Sequence, residues 1–123
     1  MKWIALVSGG TLGTLARYWF GGAVYQTLGA SFPYGTLVVN LTGCWLIGLL
    51  TVLAEEKFLL GPSARVFLMI GFCGAYTTFS TFMLETADLM KSGENFRAFM
   101  NVFPSVVAGF LALRAGILTA KFF

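Results

Sequence analysis

The dodecamer "GFCGAYTTFSTF", residues 71–82, lies within an apolar stretch long enough to cross a bilayer. Two glycines, three threonines and a serine occupy its middle, with phenylalanines at 72, 79 and 82. A lipid-facing helix gains nothing from this composition. Gly71 and Gly74 followed by the Thr77–Thr78 pair predict a helix break at about 74–78. Broken backbone at membrane depth survives only when it is buried in protein or lines a water-filled space.

The composition around the dodecamer points to a membrane. Of 123 residues, 58% are hydrophobic and only 11% charged, against about 25% charged in a soluble domain. A soluble fold of this size cannot hide so much apolar surface. Histidine is absent, which removes the commonest general base and metal ligand. Cys44 and Cys73 stand far apart in apolar runs and read as small buried hydrophobes. The net charge of +3 comes from basic residues scattered singly, a pattern that gives no footprint for nucleic acid.

Working outward, residues 1–123 read as one all-α membrane domain with four spans, at about 3–28, 34–54, 64–90 and 98–120. A span needs about 20 residues. "GASFPYG", "EEK" through "GPS", and "KSGEN" divide the spans. The apolar pattern after Met1 runs past Arg17 without a clean cleavage site, so it reads as a retained first span rather than a signal peptide. Four spans put both ends of the chain on one side. Lys2, Lys57, Arg65 and Lys121 lie on that side, against Lys91 and Arg97 on the other. This bias is weak, and it leaves insertion in both orientations open beside insertion with the N-terminus inside. Glycines recur in every span, Gly9 and Gly13 as a GxxxG pair, and read as helix-packing positions.

Polar groups inside the spans are costly and therefore informative. Arg17 is deep in the first span, far from an end to which it could snorkel, and suits a polar vestibule. Asn40 lies in the second. After the break Phe79 and Phe82 share a helix face. Thr78, Thr81, Glu85 and Asp88 step by three and four residues as one polar stripe, which reads as the wall of an aqueous vestibule. Asn101 and Ser105 share a face of the fourth span, and Pro104 between them removes a backbone donor and predicts a kink near Met100. No base–nucleophile pair, metal-ligand cluster or dinucleotide fingerprint is present, so the chain does not read as an enzyme. Four helices leave little room for a solvated hole among themselves, and a pore is expected between copies. Hydroxyl and amide donors without a deep carboxylate, and aromatic ring edges, suit an anion. The residues alone leave that ion unnamed.

Three segments then become recognisable. "GGTLGTLARY" (9–18), "GTLVVNLTGCWLIG" (35–48) and "GFCGAYTTFSTF" (71–82) resemble the signature segments of the Fluc fluoride channels, the CrcB family, and the resemblance covers essentially the whole chain. It implies an antiparallel dual-topology homodimer in the prokaryotic plasma (inner) membrane, inserted in both orientations. Two pores would pass toxic cytoplasmic fluoride outward, passively. By resemblance Asn40, Phe79, Phe82, Ser80, Thr81 and Ser105 belong to the fluoride pore, and Arg17 and Glu85 to its vestibule or entrance. The backbone carbonyls of Gly74 and Thr77 would hold a structural sodium ion (Na+) at the dimer axis. Two positions depart from the family pattern. Asn101 stands where some members have a pore tyrosine, and Pro104 adjoins Ser105.

Two other readings share parts of the pattern. A small dual-topology proton-coupled drug exporter has this size and span number, but needs a deep carboxylate in its first helix, where this chain has Arg17. A non-transporting membrane assembly subunit would account for the glycines and leave the polar stripe of the third span unexplained.

Overall fold

The computed structural model describes all residues from Met1 to Phe123 and is wholly helical. Helix α1 (Lys2–Leu28) ends where Gly29 turns with φ 85°, and α2 (Tyr34–Glu55) starts directly after Pro33. The third rod is composite. Pro62 opens α3 (Pro62–Arg65), taking the first helical position, where its missing N–H costs nothing. The rod continues as a π-helical segment (Val66–Cys73) and one last turn, α4 (Gly74–Tyr76). Thr77 and Thr78 are extended, and α5 (Phe79–Lys91) restarts with Thr78 as its N-cap. Gly93, at φ 78°, closes α5. Its N–H donates to the Met90 carbonyl at 3.0 Å, and that of Glu94 to the Leu89 carbonyl at 2.9 Å, a Schellman ending. Helix α6 (Asn95–Lys121) runs unbroken through Pro104.

Contacts at the two ends establish an up-and-down order. Lys57 in the 56–61 connection donates to the carbonyl of Phe123. At the opposite end Arg97 reaches the Ser31 carbonyl at 3.2 Å. Arg65 closes the 56–61 connection by donating to the carbonyls of Ala54 and Leu60.

Three rods have the length and apolar density of membrane spans: Tyr34–Glu55, Pro62–Lys91 and Asn95–Lys121. Helix α1 has the length, at 27 residues. Its glycines, Ser8, Thr11, Thr14 and Arg17 dilute it below the apolar density of the other three. Only 21 of 123 residues are buried, so the bundle holds no large interior, and its bulky apolar side chains point outward. Trp3, Trp19, Phe96, Phe103 and Phe110 are all exposed. Together with the apolar rods, this identifies an integral membrane protein.

The glycines pack inside the single chain. A methyl group on Gly9 would strike the Phe67 carbonyl, and one on Gly13 the Phe72 carbonyl. Gly9 and Gly13 are one α-turn apart, whereas Phe67 and Phe72 are five apart, the i→i+5 step of a π-turn. The π segment thus presents one carbonyl to each glycine of the GxxxG pair. On the other side of the bundle Gly48 abuts the Leu113 carbonyl, and Gly116 the Trp45 carbonyl. Two close helix pairs result, α1 with the third rod and α2 with α6. Helix α5 is held less closely, chiefly by α6.

Candidate functional site

The break in the third rod is pinned by one side chain. The Nδ2 of Asn40 donates to the Thr78 carbonyl at 3.0 Å, and the Thr78 N–H donates to Oδ1 of Asn40 at 2.8 Å. Both backbone groups of an extended residue at membrane depth are thereby paired, as an apolar surround requires. An amide nitrogen carries two hydrogens, so Asn40 keeps one for another acceptor. The Thr78 hydroxyl meanwhile accepts from the N–H of Thr81 at 3.3 Å and caps α5.

This arrangement releases the last carbonyls before the break, those of Gly74 and Thr77 among them. In an unbroken helix the Gly74 carbonyl would take the N–H of Thr78, and that of Thr77 would take the N–H of Thr81. Those donors go instead to Asn40 and to the Thr78 hydroxyl. The carbonyls of Gly74 and Thr77 are therefore among the orphans at a helix end. Uncharged oxygen donors of this kind fit a hard cation such as sodium. Cys73 does not join them, because its carbonyl accepts from both the N–H and the hydroxyl of Thr77, at 3.1 and 2.9 Å.

Three cavities follow one another along the polar residues. The first, of about 430 Å³, brings together Asn40, Gly74, Thr77, Phe79, Phe82 and Ser105. Its phenylalanine rings meet edge to face, with centroids 6.1 Å apart and planes at 68°. Phe82 is buried at 7% exposure, and Phe79 stands out at 73%. The second, of about 360 Å³, holds Arg17 among Thr14, Tyr18, Thr36, Thr78 and Thr81. The third, of about 430 Å³, is the acidic mouth containing Glu85, Asp88 and Glu94. Thr78 borders the first and second cavities, and Tyr25 the second and third. The stripe 78–81–85–88 runs along the second and third. Ser80 lies exposed on α5 and borders none of the three.

The charges divide along this series. Glu85 accepts hydrogen bonds from the Tyr25 hydroxyl at 2.8 Å and from the Thr36 hydroxyl, which joins α5 to α1 and α2. Arg17 has no such fixture. The chain's one ion pair joins Arg97 to Glu94, at 3.8 Å and far from it. An unpaired guanidinium among hydroxyls and phenols favours a negative visitor.

Tyr25, Thr36 and Thr86 were not singled out by the sequence reading. For the first helix a signal exists. Thr14, Arg17 or Tyr18, Gly21 and Tyr25 recur at three- and four-residue steps, the mark of one face. For Thr36 and Thr86 the sequence carries none, since a threonine in an apolar run names no partner. Asn101 does not reach the first cavity. It is 1% exposed and donates to the Thr86 hydroxyl at 2.9 Å.

Comparison with known proteins bears on this geometry. Residues 4–117 match the family described as CrcB-like protein, Camphor Resistance (CrcB). A relative from Solidesulfovibrio magneticus, named fluoride-specific ion channel FluC, is 46% identical over 108 residues, covering 88% of this chain and 86% of its own. A protein of the same name from Geobacter sp. is 47% identical over 121 residues, covering 98% and 96%. Another from Hydrogenovibrio crunogenus is 43% identical over 123 residues, covering 100% and 93%. The matching segments include the Asn40 helix, the break and the paired phenylalanines, and the chain belongs to the CrcB-like family.

Proposed function

We infer that the protein is a fluoride-selective ion channel and not an enzyme. The ion comes from the shared name of its relatives. Conduction is supported by one structural observation above others: Thr78 belongs both to the cavity of Asn40 and the phenylalanines and to the cavity of Arg17. An anion drawn in by Arg17 meets the linked hydroxyls of Thr78 and Thr81. The Thr78 hydrogen is spent on the Thr81 oxygen at 3.1 Å, and the Thr81 hydrogen is free to donate. Beyond them it meets ring edges and the unspent amide hydrogen of Asn40. Ring edges carry the positive part of the aromatic quadrupole. A strongly hydrated ion crosses only where such donors replace its water.

The single chain supplies one wall of the phenylalanine cavity, and Phe79 projects from it. A second copy packed there in antiparallel sense completes two pores per homodimer. The weak charge bias between the two ends suits insertion in both orientations, in the inner membrane of a prokaryote, with lipid around the exposed aromatic side chains. Passive export of cytoplasmic fluoride follows from a channel that needs no energy source. At the two-fold axis the released carbonyls of Gly74 and Thr77, from both copies, would hold a sodium ion. Such an ion would neutralise four carbonyl dipoles and join the subunits.

Purified protein in liposomes, followed with fluoride and chloride electrodes under a potassium–valinomycin clamp, tests the function. Fluoride efflux without chloride efflux is expected. Silence for both ions from folded protein would reject it.

A further inference from the structure

Helix α5 carries the paired phenylalanines and is less closely packed than α1, α2 or α6. Beside the packing of its buried Phe82 and Leu89, it is held by polar ties. Three are present: Asn40 to Thr78 at its start, Tyr25 and Thr36 to Glu85, and Asn101 to Thr86. The first two involve residues already placed along the anion path. The pore reading uses neither member of the third.

Asn101 is the more deeply buried of the two buried polar residues, the other being Thr36. Its Nδ2 donates to Oγ1 of Thr86 at 2.9 Å, and that hydroxyl spends its only hydrogen on the Phe82 carbonyl at 2.8 Å. A relay therefore runs from α6, through Thr86, to the backbone of Phe82. The short connection at 92–94 makes α5 and α6 antiparallel neighbours, so one turn along α5 matches one turn back along α6. Phe82 and Ser105 line the same cavity. One turn further from the break, Thr86 meets Asn101. The tie lies behind the phenylalanine, on the same face of each helix. A threonine hydroxyl in a helix can reach its own backbone from two rotamers, and such back-bonding tends to bend the helix. The amide of Asn101 selects one rotamer and anchors the turn to α6.

We propose that Asn101 is a positioning residue for anion passage, fixing the height and tilt of Phe82 through Thr86. This rests on the reading of Phe82 as a pore residue. The test uses full-length protein in liposomes, with 4-fluorophenylalanine at position 82 for fluorine NMR. Asn101→Leu and Thr86→Val are made singly and together. Each single variant is expected to lower fluoride flux about tenfold and to shift or broaden the signal from position 82, and the double variant to fall no further than the worse single one. Asn101→Gln, which keeps a donor, should recover part of both readings. An unmoved signal in Asn101→Leu, or flux losses that multiply in the double variant, would overturn the proposal. If Asn101→Leu fails to fold, Thr86→Val decides by the same two readings. Phe82→Ile, measured in parallel, separates the two ideas. Undiminished flux there rejects the pore reading, while the fluorine signal still decides whether Asn101 positions residue 82.

Discussion

Asn40 and Thr78 form a closed pair across two helices, with the Thr78 N–H 2.8 Å from Oδ1 and the Thr78 carbonyl 3.0 Å from Nδ2. One carboxamide replaces both hydrogen bonds that a peptide loses on leaving its helix. Replacing Asn40 by Leu strands both groups of Thr78, at a cost of about 2–4 kcal/mol. Fluoride flux should fall to background, and the thermal midpoint in detergent should drop with it. Asn40→Asp keeps the acceptor for the Thr78 N–H and should retain more stability than flux. Equal midpoints for wild type and Asn40→Leu would show that the break stands without the clamp.

The glycines separate into crowded and open positions. At Gly13 an added methyl group meets the Phe72 carbonyl, and at Gly116 the Trp45 carbonyl, with backbone on both sides of each contact. Gly13→Ala and Gly116→Ala should each destabilise the protein by about 1–3 kcal/mol. Gly10, with nothing within 4 Å, should tolerate alanine and gain up to about 1 kcal/mol of helix propensity. Thermal unfolding in one detergent ranks all three variants. A destabilised Gly10→Ala beside an unaffected Gly13→Ala would contradict the packing of α1 on the π segment.

Tyr25 and Thr36 hold opposite oxygens of the Glu85 carboxylate. Tyr25→Phe and Thr36→Val should each cost about 1–3 kcal/mol, the range for hydrogen bonds to charged groups. Both changes act through one acceptor, so the double variant should cost less than their sum. The unfolding midpoints of the four proteins form the cycle. Strict additivity would mean that Glu85 does not join the three helices.

The proposed sodium ion predicts stabilisation by mass action. The midpoint should rise with sodium chloride, relative to choline chloride at equal ionic strength, and then level off. At one hundred times the dissociation constant the gain is about 2.7 kcal/mol. Asn40→Leu removes the clamp that holds the break open and should flatten the curve. A midpoint indifferent to sodium in the wild type would remove the ion from the proposal.

Much of this architecture was legible before folding, because a membrane makes local sequence decisive. With no water to satisfy a backbone, an apolar run must be helical, and a run rich in glycine and threonine marks where the helix yields. The dodecamer 71–82 therefore announced a break. The structure has the chain extended at Thr77 and Thr78. The spacing of Phe79 and Phe82 announced their shared face. The three signature segments supplied the family, which no periodicity could have named.

Partnership was decided only by tertiary structure. Asn40 looked like one more intramembrane amide until it met the peptide of a residue 38 positions away. Asn101, read on a face with Ser105, gained its partner, Thr86, only in the fold. The π segment was invisible in the sequence, since its register answers to glycines on another helix. Apolar length and helix period are properties of adjacent residues, so the chain determines them alone. Which donor meets which acceptor depends on how the rods cross, and only the folded bundle selects it.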